Sequence, residues 1–256
     1  MFAAAPAAQY LDEAHARGAR YENLPKTIAP TSVAEAYAVQ EALCQLWAPR
    51  LGAVAGLKIA TTTRVMQQLM GIDHPCAGMI FASRVHASPA VIRKADYVNV
   101  RVECELAVRL GRDLGRRHAP YTAAEVRPAV AEVMAAFELI EDRAADYKSC
   151  RALSLIADNA WNGGIVIGAG VPPPAGDLDG IGGSLERGGR PAGKGKTDDP
   201  LGALAWLANL AVDRGRPIGA GMVVITGSVI ATVDIAAGEG LRFVLDGIGE
   251  CALAAV

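Results

Sequence analysis

Two glutamates one residue apart, Glu103 and Glu105, stand in a stretch, residues 98–110, that alternates apolar and polar side chains. The alternation predicts a β-strand with Val100, Val102 and Cys104 on one face and Arg101, Glu103 and Glu105 on the other. Both carboxylates then leave the same face, roughly 6.5–7 Å apart along the backbone. Carboxylates that close repel unless water or a cation lies between them. A third acid, Glu138, is alone in the apolar run of residues 135–140, where burial without a partner is costly. If the three converge they make an oxygen-only site suited to Mg²⁺ or Mn²⁺, with positions left open for a substrate. Spacing alone also fits an exposed polar strand face, the ordinary place for charged residues.

The rest of the chain must supply a frame for such a site. Hydrophobic residues make up 52 % of the 256 and charged residues 20 %, enough to bury a sizeable core. The net charge of −2 argues against a nucleic-acid binder, which needs clustered Lys and Arg. Five scattered cysteines without a CxxC pair suit neither a disulfide framework nor a zinc site, and point to a reducing cytoplasm. The alanine-rich N-terminus lacks a basic region and reaches Asp12 and Glu13 early, so it reads as a helix and not a signal peptide. The most apolar stretch, residues 222–237, is broken by Thr226, Gly227, Ser228, Thr232 and Asp234, and no membrane span is expected.

The pattern predicts an α+β chain: an N-terminal helical region over residues 1–50 and a core over 51–256. Ser32 with Glu35 three residues on has capping-box spacing for a helix that runs to Pro49. A short strand is expected over 54–59, a short helix over 63–70, and a turn over 71–75 that carries His74. Thr122 and Glu125 suggest a capped helix over 122–136, its start delayed by Pro128. Gly163-Gly164 leads into a strand over 165–167, and residues 175–200 read as a hairpin with Gly-rich turns. An amphipathic helix over 200–213 and several strands over 222–253 complete the chain.

In order along the chain, these fragments resemble the fumarylacetoacetate hydrolase superfamily, in its 2-keto-4-pentenoate hydratase and 4-oxalocrotonate decarboxylase branch. Arg101-Val102-Glu103-Cys104-Glu105-Leu106 followed by Arg112-Asp113-Leu114 looks like the family's E-x-E metal strand and trailing RDL. Phe137-Glu138-Leu139-Ile140 with Arg143 resembles the segment that carries the third ligand. Ala157-Asp158-Asn159-Ala160 with Gly163-Gly164, and Gly56-Leu57-Lys58, are similar to its ADNA stretch and its active-site lysine motif. Ala205-Trp206-Leu207, Thr226-Gly227 and Gly247-Ile248-Gly249 match later landmarks, so the likeness covers roughly residues 30–256.

The resemblance implies a fold with a mixed β-roll or sandwich core and a small N-terminal helical part. It implies Mg²⁺ or Mn²⁺ held by Glu103, Glu105 and Glu138, and a small 2-keto acid as substrate. Lys58 would hold the substrate carboxylate or move a proton, and Thr226 would offer its hydroxyl or amide. The implied activity is a lyase that adds water to a 2-hydroxy-2,4-dienoate. A decarboxylase of a vinylogous 2-keto acid and a C–C bond hydrolase are the alternatives. The resemblance also implies a homo-oligomer, at least a dimer. Two positions depart from the branch pattern. Cys76 stands where a catalytic carboxylate is usual, and Trp161 stands where a small or hydroxylated residue is usual. Cys76 and Trp161 would then line the substrate pocket. His74, with an unperturbed pKa of about 6.5, is the candidate acid–base substitute, although a lone histidine in a turn is more often a turn residue.

Overall fold

In the computed structural model, which describes residues 2–256, the chain opens with two helices, α1 (Ala4–Ala16) and α2 (Val33–Leu51). Residues 17–32 between them are not helical. The second helix starts where its cap predicts, with Ser32 Oγ accepting from the Glu35 amide. There follow β1 (Val54–Ala60), α3 (Arg64–Met70), β2 (Cys76–Phe81), β3 (Val85–Ala87), β4 (Ala90–Ile92) and β5 (Val100–Leu110). A one-turn helix α4 (Ala123–Val126) leads to β6 (Val130–Glu141), α5 (Ala152–Ala157) and β7 (Asn162–Ile167). The hairpin of β8 (Gly182–Arg187) and β9 (Arg190–Lys196) precedes α6 (Pro200–Asp213), then β10 (Val223–Asp234), β11 (Gly240–Leu245) and β12 (Gly249–Ala255).

Among the described residues these strands form two mixed sheets, ordered β2-β1-β10-β5-β6-β7-β3 and β4-β12-β11-β8-β9. The α+β reading with a layered β core therefore holds. Val102, Cys104, Leu106 and Phe137 from the larger sheet share one core with Leu185, Leu241 and Phe243 from the smaller. The rings of Phe137 and Phe243 lie 6.1 Å apart across that junction. The opposite face of β5 and β6 carries the acids, and beyond them Ala107, Met134 and Ala136 pack with Ile165 and Ile225. Helices α1 and α2 pack Leu11, Leu43 and Trp47 against Met79 and Phe81 of β2, so the helical region rests directly on the sheet.

The helix expected over residues 122–136 is a correction. The capping box of Thr122 and Glu125 is real but closes only the single turn of α4. A 3₁₀ turn at Pro128 then hands the chain to the twelve-residue strand β6. Interior β6 is buried on both faces, which erases the period-two signal and leaves an Ala-rich run that imitates a helix. No helix among the described residues is long and apolar enough to cross a membrane.

Candidate metal centre and substrate cavity

The pairing register of β5 with β6 sets Glu103 directly opposite Glu138, and Glu105 two residues along on the same face. Directly opposed residues have Cβ atoms about 4.5–5.5 Å apart, and like charges there are destabilising. One oxygen from each of the three carboxylates lies within 4.8 Å of the others. Glu105 and Glu138 are wholly buried and Glu103 is partly exposed.

Local irregularity aims the surrounding donors. Ala107 pairs with Ile225 but Glu105 pairs with Ser228, so β10 carries one extra residue there. In this bulge Gly227 adopts φ +119°, and its N–H donates to Glu105 Oε2 at 2.8 Å. The Thr232 hydroxyl donates to Glu103 Oε1, and the Asn162 amide to Glu138 Oε1 at 3.1 Å. Glu105 Oε1 and Glu138 Oε2 are left buried with no hydrogen-bond partner among the described residues. Orphaned anionic oxygens are expensive in a protein interior. A hard divalent cation would satisfy both, so this donor set fits one.

Lys58 reaches the cluster from β1, which runs parallel to β10 and antiparallel to β2. Its Nζ lies 2.8 Å from Glu138 Oε1 and donates to the Ala160 carbonyl at 2.9 Å. Burial opposes the ammonium, but the charge of Glu138 and its hydrogen bond outweigh burial and hold Lys58 protonated. Burial raises Glu105 well above the ordinary carboxylate value, and the charges of Glu138 and Glu103 add to it. Burial also pushes Glu138 up to about 7, against the pull of Lys58. One ammonium cannot neutralise three acids, so without a cation the cluster retains protons.

Asn159, Ala160 and Trp161 are consecutive left-handed residues, with φ of 52°, 49° and 57°. Such strain persists only where the surroundings enforce it, and it gathers at functional sites. Here Asn159 clamps Met79 with two bonds, accepting from its N–H at 2.7 Å and donating to its C=O at 2.9 Å. The approach requires Gly78, because a Cβ there would come within 2.6 Å of the Asn159 carbonyl. The outcome is an Ala160 carbonyl aimed at Lys58 and an indole set in the wall of a cavity.

That cavity, of about 420 Å³, is lined by Lys58 and Glu103, by Thr61–Thr63, Gly227, Ser228 and Thr232, and by Met66, Met70, Ile140 and Leu155. Arg101, Tyr147 and Trp161 also border it. A larger cleft of about 670 Å³, bordered by His15, Trp47 and Arg50, holds none of the three acids. The buried acid cluster makes the smaller cavity the candidate site.

Residues 65–254 match the profile described as Fumarylacetoacetate (FAA) hydrolase C-terminal. The chain belongs to the fumarylacetoacetate hydrolase family. It is 31 % identical over 250 residues to 2-keto-4-pentenoate hydratase 1 of Dechloromonas aromatica, covering 95 % of this chain and 94 % of that one. It is 32 % identical over 207 residues to 2-hydroxyhexa-2,4-dienoate hydratase of Comamonas testosteroni, covering 78 % and 77 %. Among solved structures, 4-oxalocrotonate decarboxylase from Pseudomonas putida G7, complexed with magnesium and adipate, superposes with a TM-score of 0.90. That likeness, at 23 % identity over 99 % of this chain and 97 % of the other, establishes the shared fold.

Within this family fold, four sequence-predicted residues come together: Lys58, Glu103, Glu105 and Glu138. Trp161 is buried in the cavity wall, edge-on to Tyr21 at 5.0 Å and Tyr147 at 5.3 Å. Cys76 shares the Lys58 face of the β1–β2 pair but lies wholly buried beneath the Thr61 hydroxyl, 3.6 Å from its Sγ, and does not line the cavity. The Thr226 hydroxyl donates to the Leu106 carbonyl at 2.8 Å, and its neighbour Gly227, not Thr226, borders the cavity. His74 is not brought to the cavity; its Nδ1 lies 2.7 Å from the Pro75 carbonyl. Sequence reasoning missed Asn162 and Thr232 as partners of the acids. Their only signal was a polar residue inside an otherwise apolar strand or beside a Gly-Gly pair.

Proposed function

We propose that this protein is a divalent-cation-dependent lyase that adds water to a 2-hydroxy-2,4-dienoate, yielding a 4-hydroxy-2-oxo acid. The observation that carries this reading is the orphaned oxygen pair of Glu105 and Glu138 beside Lys58, in a chain similar along most of its length to named hydratases. Glu103, Glu105 and Glu138 would hold Mg²⁺ or Mn²⁺, and the cation supplies Lewis acidity to a 2-oxo or 2-enol oxygen. Lys58, held protonated, carries a proton within reach of the carboxylate end of a substrate and relays it during ketonisation. The Asn159 clamp orients Lys58 through the Ala160 carbonyl. Met66, Met70 and Leu155 exclude water from the hydrocarbon part of the substrate.

A decarboxylase reading is favoured by one feature: Cys76 offers no carboxylate to activate water, and decarboxylation needs none. A C–C bond hydrolase has less support, because no histidine lines the cavity among the described residues. The deciding assay follows loss of ultraviolet absorbance from 2-hydroxypenta-2,4-dienoate with Mg²⁺ or Mn²⁺ present. Metal-dependent formation of 4-hydroxy-2-oxopentanoate supports the hydratase. Release of CO₂ from 4-oxalocrotonate without dienoate hydration moves the assignment to the decarboxylase. The reading extends to a homo-oligomer, checked by sedimentation.

A further inference from the structure

Arg101, Glu103 and Glu105 alternate along β5, so their side chains leave one face in steps of roughly 6.5–7 Å. Burial falls along that line: Glu105 is wholly enclosed, Glu103 is partly exposed, and the Arg101 side chain retains 27 % exposure. The cavity thus has an acidic closed end and, one strand step beyond Glu103, a guanidinium at its open side. Ile140 and Leu155 form apolar wall elsewhere in the cavity. Of the two cations that line it, Lys58 is already committed to Glu138 and Ala160.

Arg101 is held in place by Asp234 and by Tyr147, whose side chain also accepts a hydrogen bond from it. Its Nε donates to Asp234 at 2.8 Å, and the guanidinium sits 6.0 Å from the centre of the Tyr147 ring. Tyr147 is itself fixed by donating its hydroxyl to Asp142 at 2.9 Å. Asp234 is 79 % exposed, and ion pairs with so open a partner contribute little, so another carboxylate can take its place cheaply. An arginine fork offers several further donors in a geometry matched to a carboxylate.

We propose that Arg101 forms a distal carboxylate subsite, and that the substrate is a 2-oxo or 2-hydroxydienoic acid bearing a second carboxylate. This rests on the reading above that the 2-oxo acid end sits at the three glutamates. With C–C bonds of ~1.5 Å, a chain of about six carbons bridges one strand step from Glu103 to Arg101. A substrate ending in a methyl group would leave the Arg101–Asp234 pair undisturbed and gain nothing from the guanidinium.

The test is calorimetric binding of 2-oxoadipate, 2-oxohexanoate and oxalate to the Mg²⁺-loaded protein. The six-carbon diacid should bind the wild type about tenfold more tightly than the six-carbon monoacid, as expected for one charge-assisted contact. Arg101→Gln should bring that ratio close to one while oxalate affinity stays within about twofold. Asp234→Asn, which keeps an acceptor but removes the competing charge, should widen the ratio by a few-fold. Equal wild-type affinities, or an Arg101→Gln loss that extends equally to oxalate, overturn the subsite. If Arg101→Gln does not fold, an unchanged or narrowed ratio in Asp234→Asn overturns it alone. Oxalate that fails to bind the Mg²⁺-loaded wild type defeats the cation-site reading, and the subsite falls with it.

Discussion

Lys58 Nζ and Glu138 Oε1 lie 2.8 Å apart with both side chains shut away from solvent, yet Glu138 retains a second oxygen with no partner. The pair is therefore an incomplete balance, with two further acids beside one ammonium. Each consequence of that imbalance has a sign that can be measured.

Replacing Glu105 with glutamine should abolish cation binding while raising the thermal stability of the cation-free protein. The substitution keeps volume and removes an acid that burial forces to take up a proton on folding. Melting curves with and without Mg²⁺ or Mn²⁺, paired with calorimetry, read both effects. Undiminished cation affinity in Glu105→Gln would sink the assignment of the three glutamates as ligands.

The pH dependence of the cation-free protein follows from the same groups. Glu105 and Glu138 have raised folded-state pKa values, so the folded form holds more protons than the unfolded form once pH exceeds the ordinary carboxylate range. Stability of the cation-free protein should fall as pH rises from about 4.3 through about 7. Cation binding should release protons and weaken below pH 7, because the ligands must be deprotonated. Denaturation midpoints across that range, and calorimetry in buffers of differing ionisation enthalpy, measure the two trends. A flat stability profile without cation would count against buried, protonated acids.

Lys58→Met separates proton handling from cation binding. Turnover should drop by about 10²–10⁴-fold, the usual loss for one positioned acid–base group. Cation affinity should hold or increase, since a neighbouring positive charge has gone. Loss of cation binding in Lys58→Met would show that the lysine is needed to shape the cluster instead.

A second buried ion pair governs acid stability. Arg143 lies 2.5 Å from Asp158 Oδ2 and His15 lies 2.6 Å from Oδ1. Burial favours the protonated form of Asp158, but His15 and Arg143 together outweigh it and hold the carboxyl below its usual range. A depressed carboxylate stabilises the fold above about pH 3.9, its ordinary value, and loses that contribution as pH falls further through the folded-state value. Arg143→Ala should cost about 3 kcal/mol, the low end for breaking a buried pair, because His15 still faces Asp158, measured by denaturant titration at pH 7. A loss under 1 kcal/mol (about fivefold in the folding equilibrium) would show that solvent reaches Asp158.

The acid pair on β5 was legible because one of its faces is apolar throughout, so alternation fixed where Glu103 and Glu105 point. Glu138 could be suspected from its apolar surroundings, but its place opposite Glu103 is a register fact that only the folded sheet supplies. The same two-sided burial that makes β6 a good ligand strand hid it as a helix. The left-handed run of Asn159, Ala160 and Trp161 was also hidden. Only Asn is a familiar resident of that region, and the clamp on Met79 spans 80 positions of sequence. His74 was chosen for its intrinsic pKa and its place two residues before Cys76, neither of which fixes where the ring points. Thr226 was expected to face a substrate, but the bulge in β10 places Gly227 in the cavity wall and turns the threonine hydroxyl to the Leu106 carbonyl.

The last prediction concerns Cys76. Its side chain shares a sheet face with Lys58 and lies fully enclosed near the cluster, where burial raises the thiol's pKa and keeps it neutral. A neutral thiol cannot take a proton from water, so hydration by the wild type should be slower than metal-dependent proton exchange at C3 of a 2-oxo acid. Cys76→Asp would place a fourth carboxylate on that face, close enough to interact with Lys58. The charge should lower stability by about 1–3 kcal/mol, as expected for a buried polar group imperfectly satisfied. Relayed through the Thr61 hydroxyl, which borders the cavity, it should also raise the hydration rate by more than tenfold, part of the 10²–10⁴-fold that a positioned general base typically supplies. Cys76→Asn, of equal shape, should show the stability loss without the gain in rate. Dienoate consumption followed by ultraviolet absorbance, with deuterium exchange at C3 followed by NMR, separates the two steps. Fast wild-type hydration that Cys76→Asp leaves unchanged would mean that another group already activates water. Thr61, whose hydroxyl lies between Cys76 and the cavity, would be the next residue to replace.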